Sequence, residues 1–336
     1  MTPRDHTPPI ERVAAVTERL AVLLAAGVSP STAWTYLAEA GGVRPRSRGP
    51  ASVGTVLASA AAAAHDGSNI AAAISAAVRG APARASRMPR RRARASPETD
   101  AWLTVAAAWE VAIETGAPLA GCLHELARSQ RALGQAQRDI DAALAGPRST
   151  SRLVMVLPVV GLLFGLMLGF DTIGTLVGTV PGAVCLTGAA LLMLLAWRWS
   201  ASMVRRSTPK TSAPGLAIDL TAIAMSSGAS VERALAVVAS ALEVFRPSGT
   251  SAQGDRAAID GVLALSRAAG VPAAELLRGE ADQARRDARS TAQQAAAALA
   301  TRLMLPLGLC ILPAFMLVGV APLLMSVLSS TVRGIG

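Results

Sequence analysis

Three long stretches without a charged residue constrain the fold of this chain more than any other feature. They cover residues 153–170, 172–197 and 303–332. Each can cross the hydrocarbon core of a bilayer, which is roughly 30 Å thick and needs about 20 residues of helix. With 52% hydrophobic and only 16% charged residues, the chain is also too apolar for an average soluble domain. The sequence therefore predicts an integral membrane protein with three transmembrane helices, at 152–170, 172–199 and 303–329.

Positive charges beside these stretches predict the topology. Arg152 and Arg302 precede the first and third stretches, and Arg198 follows the second, whereas the turn at Asp171 has no lysine or arginine nearby. Because positive charges stay on the cytoplasmic side, we expect the N-terminus and both large polar segments in the cytoplasm. Three spans then place the tail 330–336 outside. The expected location is the cytoplasmic (inner) membrane, as a multi-pass protein in contact with membrane lipids.

A short break recurs four times in the Ala- and Leu-rich polar segments. A glycine is followed by a small apolar residue and then by serine or proline. Glycine just past a helix adopts the left-handed conformation easily, and serine or proline suits the start of the next helix. Each break therefore predicts a tight αα-hairpin. The residues concerned are Gly27 and Ser29, Gly116 and Pro118, Gly228 and Ser230, and Gly270 and Pro272.

The breaks come as two pairs, and each pair is followed by an arginine and an apolar run. This order predicts an internal duplication. It gives two cytoplasmic helical bundles, at 9–147 and 210–300, of which the first carries an Ala-, Arg- and Pro-rich insertion at 43–97. The predicted fold class is thus an all-α integral membrane protein. Helices are expected at 9–26, 30–40, 51–64, 69–79, 97–115, 118–144, 214–227, 231–244, 256–269 and 272–300, with Gly146-Pro147 as a potential break before the first span.

Glycines and prolines inside the spans predict how the membrane helices pack. Small residues spaced by four allow helix backbones to approach closely, whereas proline kinks a helix. The packing glycines are Gly161, Gly165, Gly169, Gly174, Gly178 and Gly182, and the prolines expected to kink the third span are Pro306, Pro313 and Pro322.

No catalytic, cofactor or metal site is expected, and we predict a protein that is not an enzyme. The sequence has no GxxxxGK[ST] phosphate loop. Cys122, His124 and Glu125 are close in sequence, but side chains two apart point to different sides of a helix. The three cysteines are isolated, so no disulfide framework is indicated.

The chain has two basic features that bear on nucleic-acid binding. The net charge is +10 and the pI is about 11.2, but much of the excess lies beside the spans and no aromatic stacking platform accompanies it, so no nucleic-acid partner is expected. The arginine-rich segment 84–94 is interpreted first as a solvated linker. Docking on anionic lipid, or on an acidic partner, is the alternative.

Taken together, these residues resemble the type II secretion F-domain proteins, and most closely the Tad (Flp) pilus branch. The segment "LAGPRSTSRLVMVLPVVGLLFGLMLGFD" is similar to the end of a TadB-type domain, and the segment that begins "GVPAAELLRG" is similar to the end of a TadC-type domain. The resemblance implies a TadB/TadC-like fusion that acts as a membrane platform. Such a platform binds a cytoplasmic secretion ATPase, couples it to the extraction of pilins or pseudopilins and to filament assembly, and associates with itself or with other platform subunits.

Two other functions stay open on the sequence alone. A permease or channel subunit would need polar residues in the spans, and acidic residues are lacking there apart from Asp171. A platform for a DNA-uptake pseudopilus is the second alternative, because the resemblance does not identify the filament.

Overall fold

The computed structural model describes residues 8–40, 52–80, 96–167, 180–207, 213–247, 252–302, 309–310, 312–321 and 324. Within these ranges the chain is helical and has no β-strand, which confirms the predicted all-α class. The helices are α1 (Pro9–Ala25), α2 (Pro30–Ala40), α3 (Val53–His65), α4 (Ile70–Arg79), α5 (Pro97–Thr115), α6 (Leu119–Met167), α7 (Val180–Ser207), α8 (Leu216–Ser226), α9 (Val231–Phe245), α10 (Ala252–Ala269), α11 (Ala273–Arg302) and α12 (Leu312–Phe315), followed by a π-helical turn at Met316–Val320.

The expected helix boundaries differ from the observed ones mainly at α6. This helix continues through Gly146 and Pro147 as far as the described residues reach, at Met167, instead of stopping at Leu144. A proline inside a helix removes one backbone hydrogen bond and bends the axis. It does not end the helix here, because helical sequence continues on both sides.

Glycines with positive φ end the helices at the four breaks singled out in the sequence. Their φ angles are +83° at Gly27, +74° at Gly116, +82° at Gly228 and +68° at Gly270. After Gly116, the N–H of the next residue donates to the carbonyl of Ala112 at 3.0 Å, the pattern of a Schellman motif. The serines that follow two of these glycines cap the next helix: Thr32 N–H and Arg233 N–H each donate to a serine Oγ at 3.3 Å.

A fifth hairpin joins α3 to α4 and has the same chemistry. Gly67 has a φ of +66°, and the N–H of Ser68 donates to the carbonyl of Ala63 at 2.9 Å. Asn69 then caps α4, since its side chain accepts from the N–H of Ala72 at 2.8 Å. The sequence pattern missed this hairpin because serine replaces the small apolar residue after the glycine and asparagine replaces the serine or proline that follows.

The described residues fall into two units. The first, called the helical unit below, combines the chain up to Arg138 with the chain from Lys210 to Ser290. The second, called the apolar unit, combines Asp139–Pro209 with the chain from Thr291 onward. Most of both predicted polar segments, up to Arg138 and Ser290, therefore belongs to one unit.

Helix α5 forms the centre of the helical unit. It packs against α1 and α4 of the first polar segment and against α8 and α9 of the second. Trp102, Val105 and Val111 on this helix are completely buried, as are Ala106 and Ala107. Because the side chain of alanine is small, neighbouring helices can pack closely around α5. The two polar segments consequently share one hydrophobic core.

The segment predicted as an insertion contributes to that core. Helices α3 and α4 pack in sequence order between α2 and α5. Val56 and Ile74 are fully buried and Leu57 is 2% exposed. The predicted domain boundaries, with the insertion at 43–97, stay a prediction, but these two helices are part of the folded bundle.

In the apolar unit, α7 has the character of a membrane helix. Its residues Val180–Ser200 have a mean hydropathy of 1.9, and only 17% of the most apolar part of this segment is buried. Among the described residues, this is the one helix that is both long and apolar enough to cross a membrane. It packs against α12 and the π-helical turn, where a Cβ on Gly188 would lie 3.5 Å from the side chain of Leu317.

The other predictions for the spans lie partly outside the described residues. Residues 152–167 of the first predicted span, including Gly161 and Gly165, are helical as part of α6. Gly182 lies in α7. Pro313 lies in α12, which is the helix directly before the π-helical turn. Outside the described ranges are Gly169, Gly174, Gly178, Pro306, Pro322, Asp171, the segment 84–94 and the tail 330–336.

Candidate functional site

A cleft of about 330 Å³ lies in the helical unit where the two polar segments meet. Helices α5, α6, α8 and α11 line it. Its floor is apolar and includes Leu126, Leu220 and Ile223, all of which are buried. Its charged lining residues are Glu125, Arg128, Asp219, Arg278, Asp282 and Arg285.

Arg285 forms the most buried ion pairs of the cleft. Its guanidinium contacts the carboxylate of Asp219 on α8 and that of Asp282 one turn earlier on α11. The side chains of Arg285 and Asp219 are only 14% and 21% exposed. Burial disfavours the charged guanidinium, but Asp219 and Asp282 outweigh it and raise the pKa of Arg285. The arginine is therefore permanently charged and fixes α11 to α8.

Asp219 has a strongly perturbed acidity. Burial raises its pKa from 3.8 to about 6, and this effect is only partly offset by the charge and the hydrogen bond of Arg285. Asp282 and Glu125 raise the pKa further because they are also negative. A perturbed carboxyl group in a cleft is a feature of functional sites.

Gly215 brings α8 and α11 close enough for this pair to form. It has a φ of +71° just before α8 begins, and a Cβ at this position would lie 3.3 Å from both Cα and the carbonyl oxygen of Ala281. Only glycine combines this backbone conformation with so close an approach. Asp219 lies one helical turn later and faces Arg285 on α11.

Arg278 and Arg128 complete the charged lining. Arg278 Nε donates to Glu125 Oε2 at 3.1 Å, which joins α11 to α6, and its Nη1 lies 3.5 Å from Glu275 Oε1. Arg128 is exposed at the cleft. Its side chain has no ion-pair or hydrogen-bond partner among the residues that the structure describes. Each carboxylate of the lining thus contacts an arginine, while one guanidinium is left without an anion.

The first polar segment contains an ion pair at the corresponding position. Glu18 on α1 lies 3.0 Å from His124 Nδ1 and 3.7 Å from Arg131 Nη1, both on α6. Glu18 precedes the hairpin glycine Gly27 by nine residues, just as Asp219 precedes Gly228 by nine. Arg131 follows Gly116 by fifteen residues, and Arg285 follows Gly270 by fifteen. The two acid–arginine pairs therefore occupy equivalent places in the two halves of the sequence.

The residues singled out from the sequence lie elsewhere. None of the eight hairpin residues lines the cleft; they end and begin the helices that form it. Cys122 is buried, and burial together with the nearby Glu125 raises its pKa to about 11, which makes the thiol unreactive. His124 pairs with Glu18 and Glu125 pairs with Arg278, so these neighbours point to different partners. Across the described ranges no group of three or more His, Cys, Asp or Glu could hold a metal ion.

The cleft itself was not predicted from the sequence. Its acidic and basic residues are scattered over two segments and form no local motif. The available signal was the equal spacing of Glu18 and Asp219, and of Arg131 and Arg285, from the hairpin glycines. That spacing becomes visible only once the four glycines have been aligned as two pairs.

The structure defines an all-α protein with a multi-helix unit and a helix suited to a membrane. Residues 16–167 match the family model described as "Type II secretion system (T2SS), protein F". The match runs from within α1 to Met167 in α6, which is less than half of the chain, and it supports the type II secretion F-domain family. Proteins of this family are inner-membrane proteins that generally partner with secretion ATPases and pilus components. No curated protein and no solved structure matches the chain.

Proposed function

We propose that this protein is the inner-membrane platform of a Tad/Flp type IV-like pilus or of a type II secretion machine. It couples a cytoplasmic secretion ATPase to the extraction of pilins from the membrane and to filament assembly. The observation that carries the proposal is the match of residues 16–167 to the F family. The apolar helix α7 that follows in the chain agrees with it.

In this proposal the chain crosses the membrane three times, at 152–170, 172–199 and 303–329. The exposed apolar surface of α7 supports the second of these spans, since its side chains have no core to fill. Trp197 and Trp199 lie near the end of the span beside Arg198. Tryptophan and arginine together are typical of a membrane–water interface. The helical unit then lies in the cytoplasm, where a secretion ATPase can reach it.

We also propose that the two halves arose by duplication and act as a fused TadB/TadC-like pair. The equivalent acid–arginine pairs, Glu18 with Arg131 and Asp219 with Arg285, support this interpretation. So do the positive φ angles of the four hairpin glycines. A fused pair needs no catalytic group of its own, because the ATPase supplies the energy.

Affinity purification from the native membrane tests the platform function. The full chain, carrying an N-terminal tag, is extracted in mild detergent and its partners are identified by mass spectrometry. We expect a secretion ATPase and small pilins to be enriched. Solute-binding or pore-forming partners without such an ATPase would overturn the proposal and favour a permease subunit.

Two matched variants show whether the ATPase binds the helical unit. Leu220 is fully buried and Leu265 is 55% exposed. A buried carboxylate without a partner is strongly unfavourable, so Leu220→Asp is expected to disrupt the helical unit and lose the ATPase. Leu265→Asp is expected to retain the bound ATPase. Equal recovery of the ATPase with both variants, at equal protein levels, would contradict binding through the helical unit.

A further inference from the structure

We propose that the cleft between α6, α8 and α11 binds a small organic acid, whose carboxylate pairs with Arg128 and whose apolar part lies on the floor. This assignment goes beyond the platform function and does not depend on it.

The size and the lining of the cleft suit a small molecule. Its volume of about 330 Å³ lies at the lower end of the range typical of small-molecule sites, about 300–1,000 Å³. Leu126, Leu220 and Ile223 are 6%, 0% and 5% exposed and give a floor that an apolar ligand body can cover. Polar groups at the edge fix the orientation of a ligand on such a floor.

The charges of the cleft indicate the sign of the ligand. Asp219 and Asp282 contact Arg285, and Glu125 contacts Arg278. Arg128 has no anionic partner among the described residues. A cation would therefore have to displace an arginine from its carboxylate, whereas an anion finds a free guanidinium. One free guanidinium matches one negative charge.

The geometry of arginine favours a carboxylate in particular. The planar guanidinium presents parallel N–H groups that a carboxylate accepts in pairs. Arg278 on α11 also lines the cleft and uses its Nε for Glu125. An acid that pairs with Arg128 on α6 and lies on Leu220 and Ile223 of α8 contacts both polar segments, and so holds them together.

Fluorescence titration with dansylglycine tests this assignment. Dansylglycine carries one carboxylate and an aromatic body, while dansylamide has the same aromatic body without the charge. The full chain is titrated in lipid nanodiscs, and the signal of empty nanodiscs is subtracted to remove partition into lipid. We expect saturable binding of dansylglycine, at least tenfold tighter than that of dansylamide.

Three variants localise the binding. Arg128→Met is expected to weaken dansylglycine binding at least tenfold. Ser129→Asp, which adds a negative charge to the lining without removing an ion pair, is expected to weaken it similarly. Arg267→Met, which removes an arginine from α10 outside the cleft, should leave it unchanged. Circular dichroism verifies that each variant is folded.

Three results would overturn the proposal. They are a lack of saturable binding to the wild type, equal affinity for the two dyes, and unchanged affinity in both Arg128→Met and Ser129→Asp. Because Ser129→Asp keeps Arg128 in place, the test remains decisive even if Arg128→Met fails to fold. None of these results would bear on the ATPase partner identified by purification.

Discussion

Arg285 on α11 contacts Asp219 on α8, and an equivalent pair in the first half of the chain joins Arg131 on α6 to Glu18 on α1. Both acids precede their hairpin glycines by nine residues and both arginines follow theirs by fifteen, so one interaction is repeated in both halves of the chain. The surroundings differ between the two copies. Arg285 is 14% exposed, whereas Arg131 is 50% exposed. In the second half the pair also lines the cleft.

This difference in burial predicts unequal energetic roles for the two arginines. Removing one partner of a buried pair leaves an uncompensated charge and costs about 3 kcal/mol, whereas an exposed pair contributes about 0–1 kcal/mol. We expect Arg285→Met to lower the free energy of unfolding much more than Arg131→Met. Chemical unfolding of the full chain in mild detergent, monitored by tryptophan emission, measures both. Similar losses for the two variants would contradict the burial seen for Arg285.

The raised pKa of Asp219 predicts a dependence of stability on pH. Because the pKa is raised to about 6 in the folded state, the folded protein binds a proton at Asp219 more tightly than the unfolded chain does. The resulting stabilisation is complete below pH 3.8 and is lost as the pH rises through about 6. The charged groups that face Asp219 are Arg285 and Asp282 on α11 and Glu125 on α6.

Asp219→Asn isolates this contribution, since asparagine does not titrate. As the pH rises from 4 to 6.5, the thermal unfolding midpoint of the wild type is expected to decrease relative to that of the variant, because only the wild type must ionise a buried carboxyl group. The midpoints are measured for both proteins across this range in the same detergent. A difference that rises with pH would mean that the ion pair with Arg285 outweighs burial.

The sequence predicted the hairpins because their causes are local. A glycine with positive φ and a capping serine need only their immediate neighbours, as at Gly228 and Ser230. Helix α7 was predicted for a similar reason, since an uncharged run of residues is a property of the sequence itself. The continuation of α6 through Pro147 was not predicted because the proline was considered alone, without the helical sequence on both sides.

The cleft could not be predicted because it depends on residues far apart in sequence. Glu125 and Arg278 are 153 positions apart and meet only because α5 brings the two polar segments together. The tryptophans, valine and alanines of residues 101–109 in α5 indicate burial on every side of this part of the helix. They do not say which helices cover it. That choice depends on packing across the whole helical unit.

The close approach at Gly215 predicts a larger effect of substitution than at Gly228. Both glycines have positive φ, +71° and +82°, but a Cβ on Gly215 would meet the backbone of Ala281 at 3.3 Å, and one on Gly228 would meet nothing within 4 Å. Gly228→Ala therefore reports the left-handed conformation alone, about 1–2 kcal/mol. Gly215→Ala must also displace α8 from α11, so it should lower the free energy of unfolding more than Gly228→Ala does, as measured by chemical unfolding. Equal costs would contradict the close contact.

The proposed three spans predict which positions face outward. Single cysteines are introduced by Asp171→Cys, Lys210→Cys and Arg333→Cys after replacement of the native Cys122, Cys185 and Cys310. In intact cells a membrane-impermeant maleimide should label positions 171 and 333 but not position 210, because the positive-inside rule places Lys210 in the cytoplasm. Labelling after cell lysis is the control for accessibility. Strong labelling at 210 in intact cells would reverse the topology, and protection of 333 would change the number of spans.

The shared core predicts that the two polar segments unfold together. Leu220 on α8 is fully buried, and α8 packs against α5 of the first segment. Leu220→Ala removes core contacts at a cost of about 2–5 kcal/mol, and hydrogen exchange should then become faster in α5 as well as in α8. Leu265→Ala, at a residue that is 55% exposed, should change neither helix. Hydrogen exchange is measured by mass spectrometry on the full chain. Faster exchange confined to residues 213–290 would mean that the segments are independent bundles. Faster exchange in α5 as well would mean that they fold as one.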